Sequence, residues 1–437
     1  IIPDAPVVPE IPTDAEYYLD VEGGNNYTIY SLANNGTRDY ELKFKGTLNE
    51  SNKAVTLNYV SNYPETGVII PALATLTDSE DEYAVRINPS QAPFADLGVE
   101  NATICFVPIE NKKVSVTSTV LSDLFDHNSG TEFVSIDLSG LDTSTAIDMR
   151  ETFQDCNKLT YLNFEGFDTS SAVDMSFMFD GCSNLKEIDV SGFNTANVTD
   201  MSGMFNDCQS VVSLDLSSFD TKEVTDMSRM FYGCKSLTNI EIPNSVTEMG
   251  DSIFINCNSL VSISIPFTGN RLENASNTYF GHIFGDYEYN KGYSSNIPMS
   301  LDHITLTNTV DIADSAFEGV KYVNEITLTE GLKTIGEYAF ADCDNLRKIV
   351  MPSTLEEIKF SAFRSCKLTS ITIPNSVTKI KGSAFQSSGL KSVHIPESVT
   401  VIDQYAFRYC ENLEEVVLPP GLEDIRFGAF CGCKALK

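Results

Sequence analysis

Apolar and polar positions recur with a fixed period over residues 153–242. Each of four 26-residue copies begins with Phe, has Cys three residues later and an apolar residue three beyond that, and then an apolar–polar–apolar triplet. The alternation predicts a short strand whose two apolar side chains face the core. Because one repeat cannot bury that face alone, the period predicts a solenoid of stacked repeats.

The pattern continues to residue 437 with a changed spacing. Strand centres recur every 26 residues from Ile136 to Ile240 and every 22 or 23 residues from Ile304 onward. A Pro after the later strands ends the ladder, since Pro lacks an N–H. An Ala-Phe pair then predicts one helical or 3₁₀ turn with Phe in the core. We therefore expect an α/β solenoid with a long parallel inner sheet. Its strands centre on Ile104, Ile136, Leu162, Ile188, Leu214, Ile240, Ile263, Ile304, Ile326, Ile349, Ile371, Val393 and Val416.

The first hundred residues have a different pattern. Residues 1–15 carry Pro at every third position, which favours an extended linker. Residues 16–101 hold short β-type runs between turn signals and lack the 26-residue register. We predict a small all-β domain there; the alternative is an irregular cap on the first repeat. The solenoid would then cover residues 102–437, with 26-residue repeats at 102–242, shorter repeats at 243–437 and an insertion at 267–301.

Two motifs give the repeats a family resemblance. The run Ile-Pro-x-x-Val-x-x-Ile-x-x-x-Ala-Phe-x-x-Cys within residues 373–410 closely resembles the BspA-like leucine-rich repeats of bacterial surface proteins. The pattern of residues 167–182 resembles the 26-residue surface-protein repeat often found beside them. The resemblance implies a leucine-rich-repeat-like right-handed superhelix. It also implies a secreted or surface-anchored protein of host-associated bacteria, tied to adhesion, with an extracellular or host protein as partner and no catalytic residue.

The net charge of the chain argues against two classes of binding partner. The net charge of −32 and the pI near 4.3 argue against nucleic acid or an anionic membrane as partner. No apolar run approaches the ~18 to 20 residues of a membrane span. Since the chain starts at Ile1, a signal peptide or lipid anchor upstream of it is left open. We expect a monomer located outside the cell or on its outer surface.

Nine of the eleven Cys lie three residues after a Phe, at one place in the repeat, which indicates buried free thiols. There is no CxxC pair to suggest zinc or a redox site. Four scattered His and the absence of hydrolase, phosphate-loop or dinucleotide motifs predict no catalytic residue, no metal and no cofactor.

The middle residue of each early triplet should face outward, and it is repeatedly acidic. Carboxylates about 5 Å apart on neighbouring strands repel each other, so solvent, a cation such as Ca²⁺ or a basic protein must compensate. We predict adhesion or protein recognition through this concave face of the sheet, by Asp137, Asn163, Glu165, Glu187, Asp189, Asp215 and Glu241.

A second row of acids precedes the Met residues. These acids should cap short helices, since a carboxylate accepts backbone N–H bonds at a helix start. The row comprises Asp148, Asp174, Asp200 and Asp226.

The insertion at 267–301 supplies the alternative function. It is rich in Asn, Gly and Tyr, and inserted loops of repeats often bind ligands. Exposed aromatic rings stack on sugars. A glycan-binding component of a surface uptake system is therefore the second hypothesis, although these aromatics could also complete the core. Its candidate residues are Tyr279, Tyr287, Tyr289 and Tyr293.

Overall fold

The computed structural model describes residues 15–33, 35–64, 67–95, 97–122, 124–125, 131–269, 279–286 and 296–437. The predicted linker, apart from residue 15, lies outside the described residues. The chain forms two compact units, Ile1–Lys235 and Ser236–Lys437. No helix among the described residues is long and apolar enough to cross a membrane.

Short strands make up both units. The first unit contains β1 (Tyr17–Gly23), β2 (Asn26–Leu32), β3 (Arg38–Asn49), β4 (Ala54–Val60), β5 (Val68–Pro71), β6 (Leu73–Leu76), β7 (Glu82–Ile87), β8 (Ala102–Val107), β9 (Val114–Val116), β10 (Phe133–Asp137), β11 (Leu141–Asp142) and β12 (Tyr161–Asn163). The second contains β13 (Asn239–Glu241), β14 (Ser262–Ile265), β15 (His303–Leu306), β16 (Asp311–Ile312), β17 (Glu325–Leu328), β18 (Thr334–Ile335), β19 (Lys348–Val350), β20 (Glu357–Ile358), β21 (Lys379–Ile380), β22 (Ser392–His394), β23 (Val401–Ile402), β24 (Glu415–Val417) and β25 (Asp424–Ile425).

The N-terminal strands join the first repeats directly. Strands β7, β4, β3, β2, β1 and β6 pair in that order, and β6 also pairs with β7, which closes a six-stranded ring. Strand β7 of this ring pairs in parallel with β9, and β5, which is outside the ring, pairs in parallel with β8, so the N-terminal strands extend two ladders of the repeats. A separate all-β N-terminal domain is therefore not confirmed.

The predicted stacking of repeats as a parallel solenoid is confirmed in both units. In the first, Ile104 pairs with Ile136 and Ile136 with Leu162. In the second, strands β13, β14, β15, β17 and β19 form a parallel sheet in which Ile240, Ile263, Ile304, Ile326 and Ile349 stand in one row.

Not every predicted strand is regular. Ile188, Leu214 and Ile371 are strand centres by sequence but lie outside assigned strands, although Ile188 and Leu214 are buried. We call one turn of the solenoid, formed by one repeat, a coil. In that part of the first unit, a row of isolated backbone β-bridges joins the coils instead of regular strands. It runs through Asp148, Asp174, Asp200 and Asp226.

The α component of the predicted fold class is not confirmed. The described residues contain no α-helix and only two 3₁₀ segments, Pro89–Gln91 and Phe280–Phe284. The predicted turn around each Ala-Phe pair is present, but residues in the left-handed backbone region flank it. At Ala384-Phe385, for example, these are Ser383 (φ 58°) and Ser387 (φ 59°). A left-handed residue interrupts the helical hydrogen-bond series, so the turn cannot extend into a helix.

Stacked Phe and Cys side chains form the core of the coils. The rings of Phe153 and Phe179 are 5.5 Å apart, and those of Phe363 and Phe385 are 5.3 Å apart, nearly parallel in each case. All eleven cysteines are free; eight of the nine that follow a Phe are buried, as is Cys105, whereas Cys433 is partly buried. Cys208 Sγ donates a hydrogen bond to Phe179 O of the preceding coil (3.2 Å). The predicted buried thiols thus also connect neighbouring coils.

The described part of the insertion completes this core. Phe280 and Phe284 are fully buried. The Phe280 ring lies 5.0 Å from that of Phe317, and the Phe284 ring lies 5.9 Å from that of Phe254. The Phe280 N–H donates to Ala316 O (2.8 Å). The insertion therefore supplies ring positions in the Phe stack.

Candidate functional site

Most of the predicted acidic residues lie in successive coils of the first unit. Asp137 ends β10 and Asn163 ends β12, where the two residues pair in register. Asp189 and Asp215 occupy the same repeat position in the next two coils and are exposed. Glu241 belongs to β13 in the second unit, where it is exposed and pairs with Ser264.

Each Asp in this position starts a turn. Asp137 Oδ1 accepts the N–H of Ser139 (2.9 Å), and Asp215 Oδ1 accepts that of Ser217 (2.9 Å). Asn163 Oδ1 accepts the N–H of Glu165 in the same way (3.0 Å). Asp and Asn favour such turns because their short side chains reach the backbone two residues on. Local hydrogen bonds therefore fix the direction of these side chains.

Neighbouring coils are also in contact along this row. The Asn163 side-chain amide donates to Asp137 Oδ1 (3.0 Å). Exposed Glu165 and Glu187 lie beside the same strand position in their coils. We name Asp137, Glu165, Glu187, Asp189 and Asp215 the acidic row; Asn163 is the uncharged member of the series.

The turns keep two of these carboxylates ionised. The Ser191 hydroxyl and backbone N–H donate to Asp189 Oδ1 (2.6 and 3.0 Å) and lower the pKa of Asp189 below its ordinary 3.8. The neighbouring Asp215 carboxylate opposes that shift. Hydrogen bonds from Ser217 lower the pKa of Asp215 in the same way. Hydrogen bonds to the charged form favour it, so both carboxylates are ionised at neutral pH.

The acidic row has no cationic partner within the described part of the first unit. Ion pairs there involve other acids, such as Glu132 with Lys158 and Asp220 with Lys222. The described part of the second unit has more ion pairs between adjacent coils. Examples are Glu325 with Lys348, Asp342 with Arg364, Glu356 with Lys333, Asp403 with Arg426 and Glu411 with Lys434. The acidic row is thus a surface of uncompensated negative charge.

The predicted caps have a related role. Asp174 Oδ1 accepts the backbone N–H and the hydroxyl of Ser176 (2.9 and 2.6 Å), and Asp200 Oδ1 accepts the N–H of Ser202 (2.8 Å). These carboxylates satisfy backbone donors as a helix cap does, but the segments they begin are turns. They are structural groups. No set of three or more His, Cys, Asp and Glu side chains among the described residues is arranged to hold a metal ion.

The aromatic insertion loop is described only in part. Tyr287, Tyr289 and Tyr293 lie outside the described residues. Tyr279 is half-buried, with its ring 6.1 Å from that of His282 and against Gly281. Of the four predicted residues, only Tyr279 lies in the described part of the chain, so the glycan site stays a prediction.

One set of polar residues has a structural importance that sequence reasoning missed. Thr143, Thr169 and Thr195 are buried between coils. The Thr169 hydroxyl donates to Asn194 O (3.0 Å) and accepts the Asn194 N–H (2.7 Å). The signal in the sequence was the recurrence of Thr after Leu-Asp, Phe-Asp or Phe-Asn every 26 residues.

Two families match the chain. Residues 299–437 match the BspA type leucine rich repeat region in six copies. Residues 119–244 match a family described as a Mycoplasma protein of unknown function, DUF285. No curated protein matches.

Several solved structures are similar. A leucine rich cell surface protein from Faecalibacterium prausnitzii is 24% identical, with 91% of this chain and 92% of that chain covered and a TM-score of 0.35. A leucine-rich repeat protein from Bacteroides ovatus is 20% identical, covering 90% and 91%, with a TM-score of 0.37. A leucine rich repeat protein from T. pallidum is 27% identical over 31% of this chain and 78% of that one, with a TM-score of 0.26.

The two family matches fall on the two repeat types recognised from sequence, which confirms that resemblance. Residues 299–437 thus match the BspA-type leucine-rich repeat region, and residues 119–244 match the DUF285 family.

Proposed function

We propose that this protein is a non-catalytic binding protein, located outside the cell or on its surface, that recognises a basic protein partner through the acidic row. The match to the BspA-type repeat region supports the extracellular location and a role in protein recognition. We propose that this recognition serves adhesion. The observation that carries the proposal is the uncompensated charge: the carboxylates of the row have no cationic partner among the described residues, whereas several acids of the second unit are paired with bases of the adjacent coil.

The turn hydrogen bonds make this charge suited to recognition. Asp189 and Asp215 are held by Ser191 and Ser217, so a partner does not have to order them on binding. A basic protein surface would relieve the repulsion between neighbouring carboxylates and would be steered toward them.

The test removes charge while it keeps the turns. In the double variant Asp189→Asn, Asp215→Asn, the amide oxygen can accept the same N–H, as Asn163 does in its own coil. We expect about tenfold weaker binding to a basic partner, equivalent to ~1.4 kcal/mol, and a weaker dependence of affinity on salt. Surface plasmon resonance against a panel of basic and acidic extracellular host proteins measures both.

A control variant loses the same number of charges outside the acidic row, and so tests whether binding depends on the row or only on the net charge of the protein. The double variant Glu151→Gln, Glu223→Gln removes two exposed carboxylates outside the row, and its affinity should stay within about twofold of wild type. Since the pKa values of Asp189 and Asp215 are lowered from 3.8, the contribution of these two carboxylates to wild-type affinity should be constant from pH 5 to 8 and be lost below about pH 4. Unchanged binding by the Asn variant, or no bound basic protein in the panel, contradicts the proposal.

A further inference from the structure

Two consecutive coils of the second unit have a shortened turn. In regular coils two residues separate Cys from the next core Leu, as at residues 343–346 and 410–413. Only one residue separates them at 366–368 and, with Ser in place of Cys, at 388–390. All four Leu side chains remain buried, so the missing residue shortens the turn rather than the core. The edge of the solenoid therefore recedes at these two coils.

The receding edge leaves a cavity of about 550 Å³, which we call the notch. Its floor is backbone and small side chains: a Cβ on Gly389 would lie 3.1 Å from Leu368 O and 3.3 Å from Lys367 O. Polar groups and one aromatic ring surround this floor. They belong to Lys367, Ser387, Tyr409, Glu411 and Asn412.

The Tyr409 ring, which forms the aromatic side of the notch, is held in place by its neighbours. Tyr409 is 43% exposed. The guanidinium carbon of Arg408 lies 4.5 Å from the centre of the Tyr409 ring. A guanidinium N–H of Arg408 also donates to the Tyr409 hydroxyl (2.9 Å). Gly432 of the next coil lies against the ring, where any Cβ would overlap it. The ring is thus fixed by cation–π and packing contacts while it borders the notch.

The notch lies in a basic part of an acidic chain. Residues 358–396 contain six Lys and Arg and no Asp or Glu. Lys367 has no ion-pair partner within the described second unit, whereas Glu411 pairs with Lys434 (2.6 Å). The cation available at the notch is therefore Lys367, and the nearby carboxylate is already neutralised.

We propose that the notch binds an anionic sugar residue. A pyranose ring presents an apolar C–H face that packs on Tyr409, its carboxylate or sulfate pairs with Lys367, and its hydroxyl groups bond to Ser387 and Asn412. The volume lies within the ~300 to 1,000 Å³ usual for small-ligand sites, which bring a few polar groups onto a mostly fixed lining. This site is independent of the acidic row and its proposed protein partner.

The experiment titrates the full chain with glucuronic acid, N-acetylneuraminic acid and galactose 6-sulfate, observed by saturation-transfer NMR and calorimetry. We expect saturable binding of at least one of them, with a Kd of about 1 mM or below. Glucose, galactose, acetate and inorganic sulfate should bind at least about tenfold more weakly. A carboxylated and a sulfated probe together show which anionic group is preferred.

Variants locate the binding. Tyr409→Ala and Lys367→Glu should each weaken it about tenfold or more. Lys359→Glu, which makes the same charge change after β20 and away from the notch, should change it less than about twofold. Insertion of Asn between Gly389 and Leu390 restores the regular turn, fills the notch and should abolish binding without lowering the melting temperature.

Three results overturn the proposal. One is the absence of saturable binding of all three acidic sugars at about 20 mM. Another is equal binding of acetate or inorganic sulfate, which reduces the notch to a general anion site. The third is an equal loss of affinity in Lys359→Glu and Lys367→Glu, which assigns the binding to net charge.

Discussion

At the scale of single residues, the cysteines act as hydrogen-bond donors rather than as reactive groups. Cys182 and Cys234 each donate to the Phe carbonyl of the preceding coil (3.1 Å). Burial raises the pKa of Cys156 to about 12 and that of Cys410 to about 11. Because the thiolate is the reactive form, these thiols are inert at neutral pH. Cys431 is exposed.

Thiol labelling measures this difference. With a disulfide reagent at pH 8, we expect one thiol per folded chain, Cys431, to react fast and the partly buried Cys433 to react more slowly. The nine buried thiols should react only after denaturation, when all eleven become accessible. Mass spectrometry of the labelled peptides identifies each site. Fast labelling of Cys182 or Cys208 in the folded chain would contradict the buried ladder.

At the scale of the elements, a coil is held to the next by buried side-chain hydrogen bonds as well as by strands. Where regular strands are missing around Ile188 and Leu214, the Thr series continues through Thr169 and Thr195, each donating to a backbone carbonyl of the next coil (3.0 Å). A buried backbone group that loses such a partner costs about 1–3 kcal/mol.

The Thr series can be tested by an isosteric change. Thr169→Val keeps the shape but leaves the N–H and C=O of Asn194 without the hydroxyl, so we expect a loss of about 1–3 kcal/mol in the free energy of unfolding. Thr199→Val is the matched control, because the exposed Thr199 hydroxyl makes only one bond, to Val173 O (3.2 Å). Its effect should be below about 0.5 kcal/mol. Urea denaturation compares the two; similar losses would show that burial is not the cause.

The sequence predicts some elements well and others poorly, for physical reasons. Side chains alternate along a strand, so one register places Ile240, Ile263 and Ile304 in the core, and the structure has that register. Strands such as β16 and β20 are two residues long and leave no alternation to recognise. The α component is not confirmed, and many of the left-handed residues that flank the turns, such as Phe177, Ser383 and Tyr405, carry no strong helix-breaking signal in the sequence.

For the candidate residues, the sequence predicts exposure but not the surrounding charges. The outward position of Asp189 and Asp215 follows from the alternation, and both are exposed. Whether a carboxylate has a cationic partner depends on which side chain of the neighbouring coil reaches it. Glu325 meets Lys348 of the next coil, and no spacing within one repeat predicts that contact. The contrast between the acidic row and the paired acids was therefore visible only in the structure.

At the scale of the whole molecule, the negative charge is unevenly distributed. Residues 131–235 contain 18 Asp and Glu against six Lys and Arg, whereas residues 324–437 contain 14 against 13. Like charges destabilise a compact state and salt screens them, while salt also weakens exposed ion pairs. The two regions should therefore respond to salt in opposite directions.

Hydrogen exchange measured by mass spectrometry resolves the two regions in one chain. On going from about 20 mM to about 500 mM NaCl, which shortens the screening length to a few ångströms, peptides of residues 131–235 should exchange several-fold more slowly. Peptides of residues 324–437 should be unchanged or exchange slightly faster, because their inter-coil ion pairs are exposed. An equal response of both regions would contradict this assignment of charge.

The regular spacing of the inter-coil bonds also has a genetic consequence. In the 26-residue repeats, two kinds of side-chain bond between coils recur with the same partners: Cys Sγ donates to the Phe carbonyl 29 positions earlier, and Thr Oγ1 donates to the carbonyl 25 positions later. Recombination between neighbouring copies of the repeat in the gene adds or removes one whole coil and restores every one of these partners at the junction. The number of carboxylates in the acidic row is therefore open to selection in steps of one coil, with no need to redesign the fold.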